Sequence, residues 1–264
     1  MEQNFETIAF LKEEHIVNIR LNRPDKHNAL NPLMIAELTA AFAEIANQPD
    51  LRLVVLRGNG GSFCAGADLH YMKEIAGFGQ EENLEDARKL ATLFKQISDC
   101  PIPIVAVVHG AVYGGANGLS AACDIVLAHE DTVFAFSEVK LGITPATISP
   151  FVIARCGQAA ARELMLTGRK FTASEGYRFM LVNQVYSDES AEKITEFYIK
   201  QLLSSAPNAL RQCKELIKMV DQESADSAKI FDETTAMIAR QRASEEGQEG
   251  LAAFFEKRKP NWIL

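Results

Sequence analysis

The stretch Ile104-Val105-Ala106-Val107-Val108-His109-Gly110-Ala111-Val112-Tyr113-Gly114-Gly115-Ala116-Asn117-Gly118 decides the fold. Ile104–Val108 is an uninterrupted, mostly β-branched apolar run, the pattern of a strand buried on both faces. Gly110–Gly115 breaks that regularity, and the small residues that follow to Cys123 read as a closely packed helix. Ile125–Ala128 then begins another buried strand. Strand, glycine break, helix and strand in succession indicate an α/β protein.

Working outward, the same alternation recurs. Ile16–Leu21 alternates, with Val17, Ile19 and Leu21 on one face, and reads as a half-buried strand. Asn31-Pro32 supplies an N-cap and a first-position proline for a helix carrying Met34, Leu38, Phe42 and Ile45. Leu53–Leu56 is a short buried strand that leads into Gly58-Asn59-Gly60-Gly61. A helix is expected over Leu84–Ser98 and a strand over Val133–Phe136. Helices dominate from Ser149 onward, apart from Leu181–Tyr186, and the last sixty or so residues form a separate helical layer.

Composition narrows the possible functions. The 264 residues are 47% hydrophobic and 23% charged, the profile of an ordinary globular protein. A chain of this size buries roughly three-quarters of its unfolded surface and needs no disulfide or metal for stability. Lys+Arg 27 against Asp+Glu 35 gives a formal net charge of −8, which speaks against general nucleic-acid binding. An anionic ligand therefore has to be met by a local basic cluster, which is feasible because exposed charges are screened beyond ~8 Å at physiological salt. The five cysteines, Cys64, Cys100, Cys123, Cys156 and Cys213, are widely spread without a CxxC pair and read as reduced thiols. The first ten residues contain Glu2 and Glu6 but no Lys or Arg, unlike a leader peptide, and no apolar run approaches the ~20 residues of a membrane span. A cytoplasmic protein is expected.

The glycine turns fail several motif tests. A dinucleotide fingerprint from Gly58 needs glycine where Phe63 stands. No Gly-Lys closes a Walker loop, and nucleophile elbows around Ser62 and Ser120 fail at Cys64 and Ala122. His129-Glu130 lacks the second histidine of a zinc-protease helix, and the histidines show no metal-ligand spacing. Two turns remain, Cys64-Ala65-Gly66-Ala67-Asp68 and Tyr113-Gly114-Gly115-Ala116. Either they are tight packing turns, or they present backbone N–H groups that converge on an oxyanion.

In order along the chain, Leu21-Asn22-Arg23-Pro24 with Asn28-Ala29-Leu30, Phe63–Leu69, Gly110–Gly115 with Cys123-Asp124-Ile125, Phe136-Ser137-Glu138 with Leu141-Gly142, and Phe254–Arg258 resemble the crotonase (enoyl-CoA hydratase/isomerase) superfamily. The resemblance implies a crotonase-like spiral of ββα repeats over residues 1–200 and a helical C-terminal trimerisation region over 201–264, assembled as a homotrimer or homohexamer. It implies an acyl-CoA thioester substrate whose carbonyl oxygen is held by the N–H groups of Ala67 and Gly115, with coenzyme A entering as part of the substrate and no separate cofactor. CoA would run over Lys26, His27, Ala29, Ala65, Asp68, Leu69 and His70, and Phe254 and Lys257 would reach it from one face of the last helix.

Hydratases of this family typically use two glutamates around one water, and the resemblance implies Glu138 as the second, expected at the end of the strand containing Phe134 and Phe136, where partial desolvation would raise its pKa. Where family members commonly carry a first glutamate this chain has Gly118, in the substrate pocket with Tyr71. Either Glu138 alone activates water and returns the proton to carbon, or the reaction needs one base, as in a Δ3,Δ2-enoyl-CoA isomerase. Pro145–Val152 and Ala67-Asp68-Leu69 with Tyr71-Met72-Lys73 resemble bacterial methylglutaconyl-CoA hydratases, implying hydration of a branched acidic enoyl-CoA in leucine catabolism. Its terminal carboxylate would meet His70, Lys73, Lys140 or Arg155. A non-catalytic CoA-binding or RNA-binding relative is the other alternative. His70-Tyr71-Met72-Lys73-Glu74 carries little positive charge, so no RNA affinity is expected.

Overall fold

A computed structural model describes residues 5–222 and 226–263. One six-stranded sheet runs in the order β1 (Ile8–Glu13), β2 (Ile16–Leu21), β3 (Leu53–Gly58), β4 (Ile104–Val108), β6 (Ile125–His129) and β9 (Gln184–Tyr186). A second sheet contains β5 (Ala111–Tyr113), β7 (Val133–Ala135) and β8 (Lys170–Thr172). The β1–β2 pair is an antiparallel hairpin, whereas β2, β3, β4, β6 and β9 are mutually parallel. Parallel strands buried by later elements need no polar alternation, which is why every residue of β4 is buried.

Helices return the chain between strands. They are α1 (Pro32–Ala46), α2 (Leu69–Ile75), α3 (Gln80–Asp99), α4 (Gly115–Ala121), α5 (Ser149–Thr167) and α6 (Ala173–Arg178). The expected cap of α1 is present: Met34 N donates to Asn31 Oδ1 at 2.9 Å, with Pro32 at the first position. Such a cap contributes about 1 kcal/mol. The apolar stripe of α1 buries Met34, Leu38, Phe42 and Ile45 completely or nearly so. α3 begins a full turn earlier than its apolar pattern suggests, because Glu82 Oε2 accepts from Gly79 N at 2.7 Å and secures a polar first turn.

The functional consequence lies in how successive turns stack. Leu30 pairs in parallel with Ala67, Cys64 with Val112, and β5 with β7. Each circuit of the spiral therefore lays a short extended segment beside the previous one, just before a helix starts. β5 occupies part of the stretch expected to be irregular, and it is ordered by this lateral pairing. The strand expected over Val133–Phe136 ends at Ala135, and Ser137–Leu141 forms a 3-10 turn.

The chain divides into two compact units. One runs to Thr195 without Pro101–Pro103, and the other comprises Pro101–Pro103 and the chain from Glu196 onward. The break falls within α7 (Ala191–Ser204), near but not at position 200. The second unit continues through α8 (Pro207–Gln222), α9 (Ser227–Ala243) and α10 (Glu245–Glu256). Trp262 is a packing residue in it: its Nε1 donates to Ser204 O at 3.2 Å and its ring lies against Gly250. None of the described helices is long and apolar enough to cross a membrane.

Candidate active site

The turn at Cys64–Asp68 is sewn in place on both sides. Cys64 N donates to Ala111 O at 3.1 Å and Tyr113 N returns a bond to Cys64 O at 3.3 Å. On the other side Leu30 N donates to Gly66 O at 2.7 Å and Asp68 N to Leu30 O at 2.8 Å. Gly66 has φ +98, and a Cβ there would stand 2.9 Å from Tyr113 O, so only glycine lets the two turns approach this closely. Ala67 N, between the two Leu30 bonds, has no hydrogen-bond acceptor among the described residues.

The second turn is built around Gly114, at φ 52 and ψ −123, a conformation that disfavours any side chain. Gly114 N donates to Ala135 O at 3.0 Å, tying the turn to the strand before Glu138. Asn117, 3% exposed, directs its Nδ2 to Val112 O (3.2 Å), Gly114 O (3.3 Å) and Ala135 O (2.9 Å). Gly115 is the first residue of α4, so its N–H has no intrahelical partner, and it has no acceptor among the described residues. A Cβ on Gly115 would lie 3.1 Å from Leu30 Cδ1. Leu30 therefore borders both Ala67 and Gly115.

Glu138 sits in the 3-10 turn after β7, beyond the strand end where it was expected. Its Oε1 is 3.5 Å from the position a Cβ would take on Gly114, and its Oε2 is buried without a hydrogen-bond partner among the described residues. Burial raises the Glu138 pKa above the ordinary carboxylate range, with a smaller opposing effect from its own backbone N–H. Two unpaired N–H donors and a desolvated carboxylate on adjoining segments can stabilise a developing oxyanion and move a proton beside it.

A cleft of about 980 Å3 gathers Lys26, His27, Ala29, Ala65, Ala67, Asp68, Leu69, His70 and Tyr71, together with Arg23 and Lys73. Lys26 has no ion-pair partner among the described residues, and Leu69 is 77% exposed, so the cleft offers both a cation and an apolar surface. Asp68 is committed within the protein. It accepts from Arg23 Nη2 at 2.8 Å and from His70 N at 2.8 Å, capping α2. Burial works to raise the Asp68 pKa, but Arg23 and the two cap N–H groups outweigh it and hold the carboxyl below its usual range. Tyr71 turns its hydroxyl to Asp86, and burial with that contact raises its pKa.

Other expected residues stand apart. Gly118 is buried, and a Cβ there would lie 2.6 Å from Ile148 Cγ2 and 2.7 Å from Phe94 Cζ. Arg155 is spoken for by Cys123 O at 2.8 Å and Asn183 Oδ1 at 2.6 Å. Burial pushes the Cys64 thiol up to about 12, so it is a core residue and no nucleophile. In the helical unit Phe254 is 76% exposed, but Lys257 is not on the same helical face. α10 ends at Glu256, and Lys257 adopts φ 54 as Arg258 N closes onto Ala253 O at 3.0 Å. Among the described residues no three His, Cys, Asp or Glu side chains cluster as a metal site. Arg23, Asn117 and Leu30 escaped functional notice in the sequence, where only the LNRP and GGAN strings flagged their neighbourhoods.

Residues 12–263 match the family model for enoyl-CoA hydratase/isomerase. The chain belongs to the enoyl-CoA hydratase/isomerase family. Among its relatives, an enoyl-CoA hydratase of Alternaria alternata is 34% identical, with 92% of this chain and 80% of that protein covered. The mevalonyl-coenzyme A hydratase of Aspergillus fumigatus is 33% identical, covering 94% of this chain and 91% of its own. The crystal structure of an enoyl-CoA hydratase from Shewanella pealeana superposes with a TM-score of 0.95 at 37% identity, over 99% of this chain and 97% of that one. The mixed sheets and returning helices are thus the crotonase fold, and the chain is an enoyl-CoA hydratase-type enzyme.

Proposed function

We propose that the chain hydrates a branched acidic enoyl-CoA of the methylglutaconyl type, or dehydrates the corresponding 3-hydroxyacyl-CoA. The thioester carbonyl oxygen accepts from Ala67 N and Gly115 N, the CoA moiety lies along the Lys26–His70 cleft, and Glu138 is the acid/base. Glu138 takes a proton from water as the water oxygen bonds to C3. The C2–C3 π pair moves into the enolate, whose oxyanion faces the two N–H groups. Glu138 then returns that proton to C2, completing addition of one water.

The observation that carries this reading is the Oε2 of Glu138, buried without a hydrogen-bond partner among the described residues, on a carboxylate beside the Gly114 turn. The packing at Gly118 supports a mechanism with a single carboxylate. It equally favours a second reading, a Δ3,Δ2-isomerase in which Glu138 carries a proton from C4 to C2. For the terminal carboxylate, Lys140 is on the same 3-10 turn as Glu138, whereas Arg155 is already occupied.

Self-association as a trimer or hexamer is part of the proposal. It is supported by exposed Phe197, Ile217, Phe231, Ile238 and Phe255 in the helical unit. Free cysteines fit a reducing compartment such as the cytoplasm. The test is a panel assay with methylglutaconyl-CoA, crotonyl-CoA and a 3-enoyl-CoA. Hydration fastest on the first is expected. Turnover of the 3-enoyl ester alone, without water uptake, establishes the isomerase instead.

A further inference from the structure

Arg23 enters the cleft from the loop after β2, and each of its terminal nitrogens already donates a hydrogen bond within the protein. Nη1 donates to Ala29 O at 2.6 Å and Nη2 to Asp68 Oδ2 at 2.8 Å, with side-chain exposures of 18% for Arg23 and 12% for Asp68. The backbone of Arg23 is itself held, because its N–H donates to Asn28 Oδ1 at 2.8 Å and its carbonyl accepts from Asn28 N at 2.9 Å. Ala29 and Asp68 are the residues flanking the Leu30–Ala67 bridge, one on each strand of it. The guanidinium therefore clamps together two segments that meet at the Ala67 N–H.

We propose that Arg23 is a positioning residue for catalysis: by bridging Ala29 O and the Asp68 carboxylate it fixes the direction of the Ala67 N–H toward the substrate carbonyl. The inference rests on the carbonyl-binding reading above. The side chain has to be arginine, since one planar fork serves two acceptors at a set angle, and a lysine ammonium lacks that rigid fork. A nearly buried pair is weak evidence for added stability, because desolvation offsets much of the attraction, so a geometric role explains it better. Asp68 contributes from the other end. Its Oδ1 caps α2 while its Oδ2 takes the guanidinium, so the residue after the donor is held from two directions.

The test compares the unaltered protein with Arg23→Lys, Arg23→Gln and Asp68→Asn. The readouts are kcat, KM and the absorption of bound cinnamoyl-CoA, whose conjugated carbonyl shifts red when polarised. In Arg23→Gln a kcat loss of roughly ten- to a hundredfold is expected from a misaimed donor, with KM within about threefold. The bound absorption should move back toward its value in water. Arg23→Lys should recover part of both. Asp68→Asn should lose the red shift while keeping the α2 cap through its amide oxygen, which provides the test if Arg23→Gln does not fold. A full red shift in both Arg23→Gln and Asp68→Asn overturns the proposal, and a raised KM at unchanged kcat makes Arg23 a CoA ligand instead. Bound cinnamoyl-CoA without any red shift in the unaltered protein overturns the carbonyl-binding reading itself, and the role of Arg23 with it.

Discussion

Glu138 faces the space that a side chain at Gly114 would fill: a Cβ on Gly114 would lie 3.5 Å from Glu138 Oε1 and 3.9 Å from its Cδ. The proposed proton-transferring carboxylate thus lies beside the turn that leads into Gly115. Two effects coincide at Gly114, the positive φ of 52 and the touch that an added Cβ would make with the carboxylate. Gly114→Ala is therefore expected to lose about 1–3 kcal/mol through backbone strain and to depress kcat more than KM. Urea unfolding with steady-state kinetics checks both, and an unchanged kcat in a destabilised variant would separate the turn from the chemistry.

For Glu138, the sign of the pH dependence follows from burial. Its folded pKa is raised, so between the unfolded and folded values the native state binds more protons than the unfolded one. Stability from this group is full below the unfolded pKa and declines as pH rises through the folded pKa. Glu138→Gln removes the charge that burial disfavours. It should raise the Tm at neutral pH, with the difference vanishing in acid, while abolishing turnover and leaving CoA-ester binding intact. A wild-type kcat profile that falls on the acid side at a pH above the ordinary glutamate range is the matching kinetic result. Near-normal turnover of Glu138→Gln would show that the base lies elsewhere.

Asn117 is expected to matter as much as the glycines beside it. Its buried amide is shared among the carbonyls of Val112, Gly114 and Ala135, which belong to β5, the turn and β7. Asn117→Ala removes this shared side-chain donor, while Gly114 N still reaches Ala135 O and the backbone N–H of residue 117 still reaches Gly114 O, so the expected cost is about 1 kcal/mol. Asn117→Asp keeps the size but supplies no donor, and it should fare no better. Differential scanning calorimetry and kcat on the same preparations give the comparison, and wild-type values for both in Asn117→Ala would remove Asn117 from the turn's support.

The elements legible from sequence are those whose signal is local. The apolar run of β4, the Asn31-Pro32 start of α1 and the two glycine turns could each be read without knowing what lies across from them. β5 and β8 could not, because their three residues carry no period and are ordered by lateral pairing, β8 with β7, and β5 with β7 and Cys64. Glu138 was visible as a residue, but its 3-10 turn depends on where β7 stops. The Arg23–Asp68 clamp spans 45 positions and has no sequence signature beyond an arginine in a loop. Lys257 shows the converse error: a helical spacing continued one residue past a helix that had already ended.

Gly118 provides the last prediction. The site is closed by Ile148 and Phe94, and Phe94 packs in turn edge-on against Phe151 at 6.1 Å. Both Phe94 and Ile148 are almost wholly buried, so neither can swing into solvent to make room. Adding a single methyl in Gly118→Ala is expected to cost about 1–3 kcal/mol by overpacking. Gly118→Glu adds the same clash and a carboxylate without a partner, so it should express poorly or unfold at a much lower Tm, and it should not accelerate hydration. Ile148→Ala removes the Cγ2 methyl that the new Cβ meets, so Gly118→Ala should cost less in the Ile148→Ala background than on its own. The double-mutant cycle measures that coupling directly. If Gly118→Glu instead folds normally and turns over faster, the α4 position accepts a second acid and the single-carboxylate mechanism is not imposed by the packing.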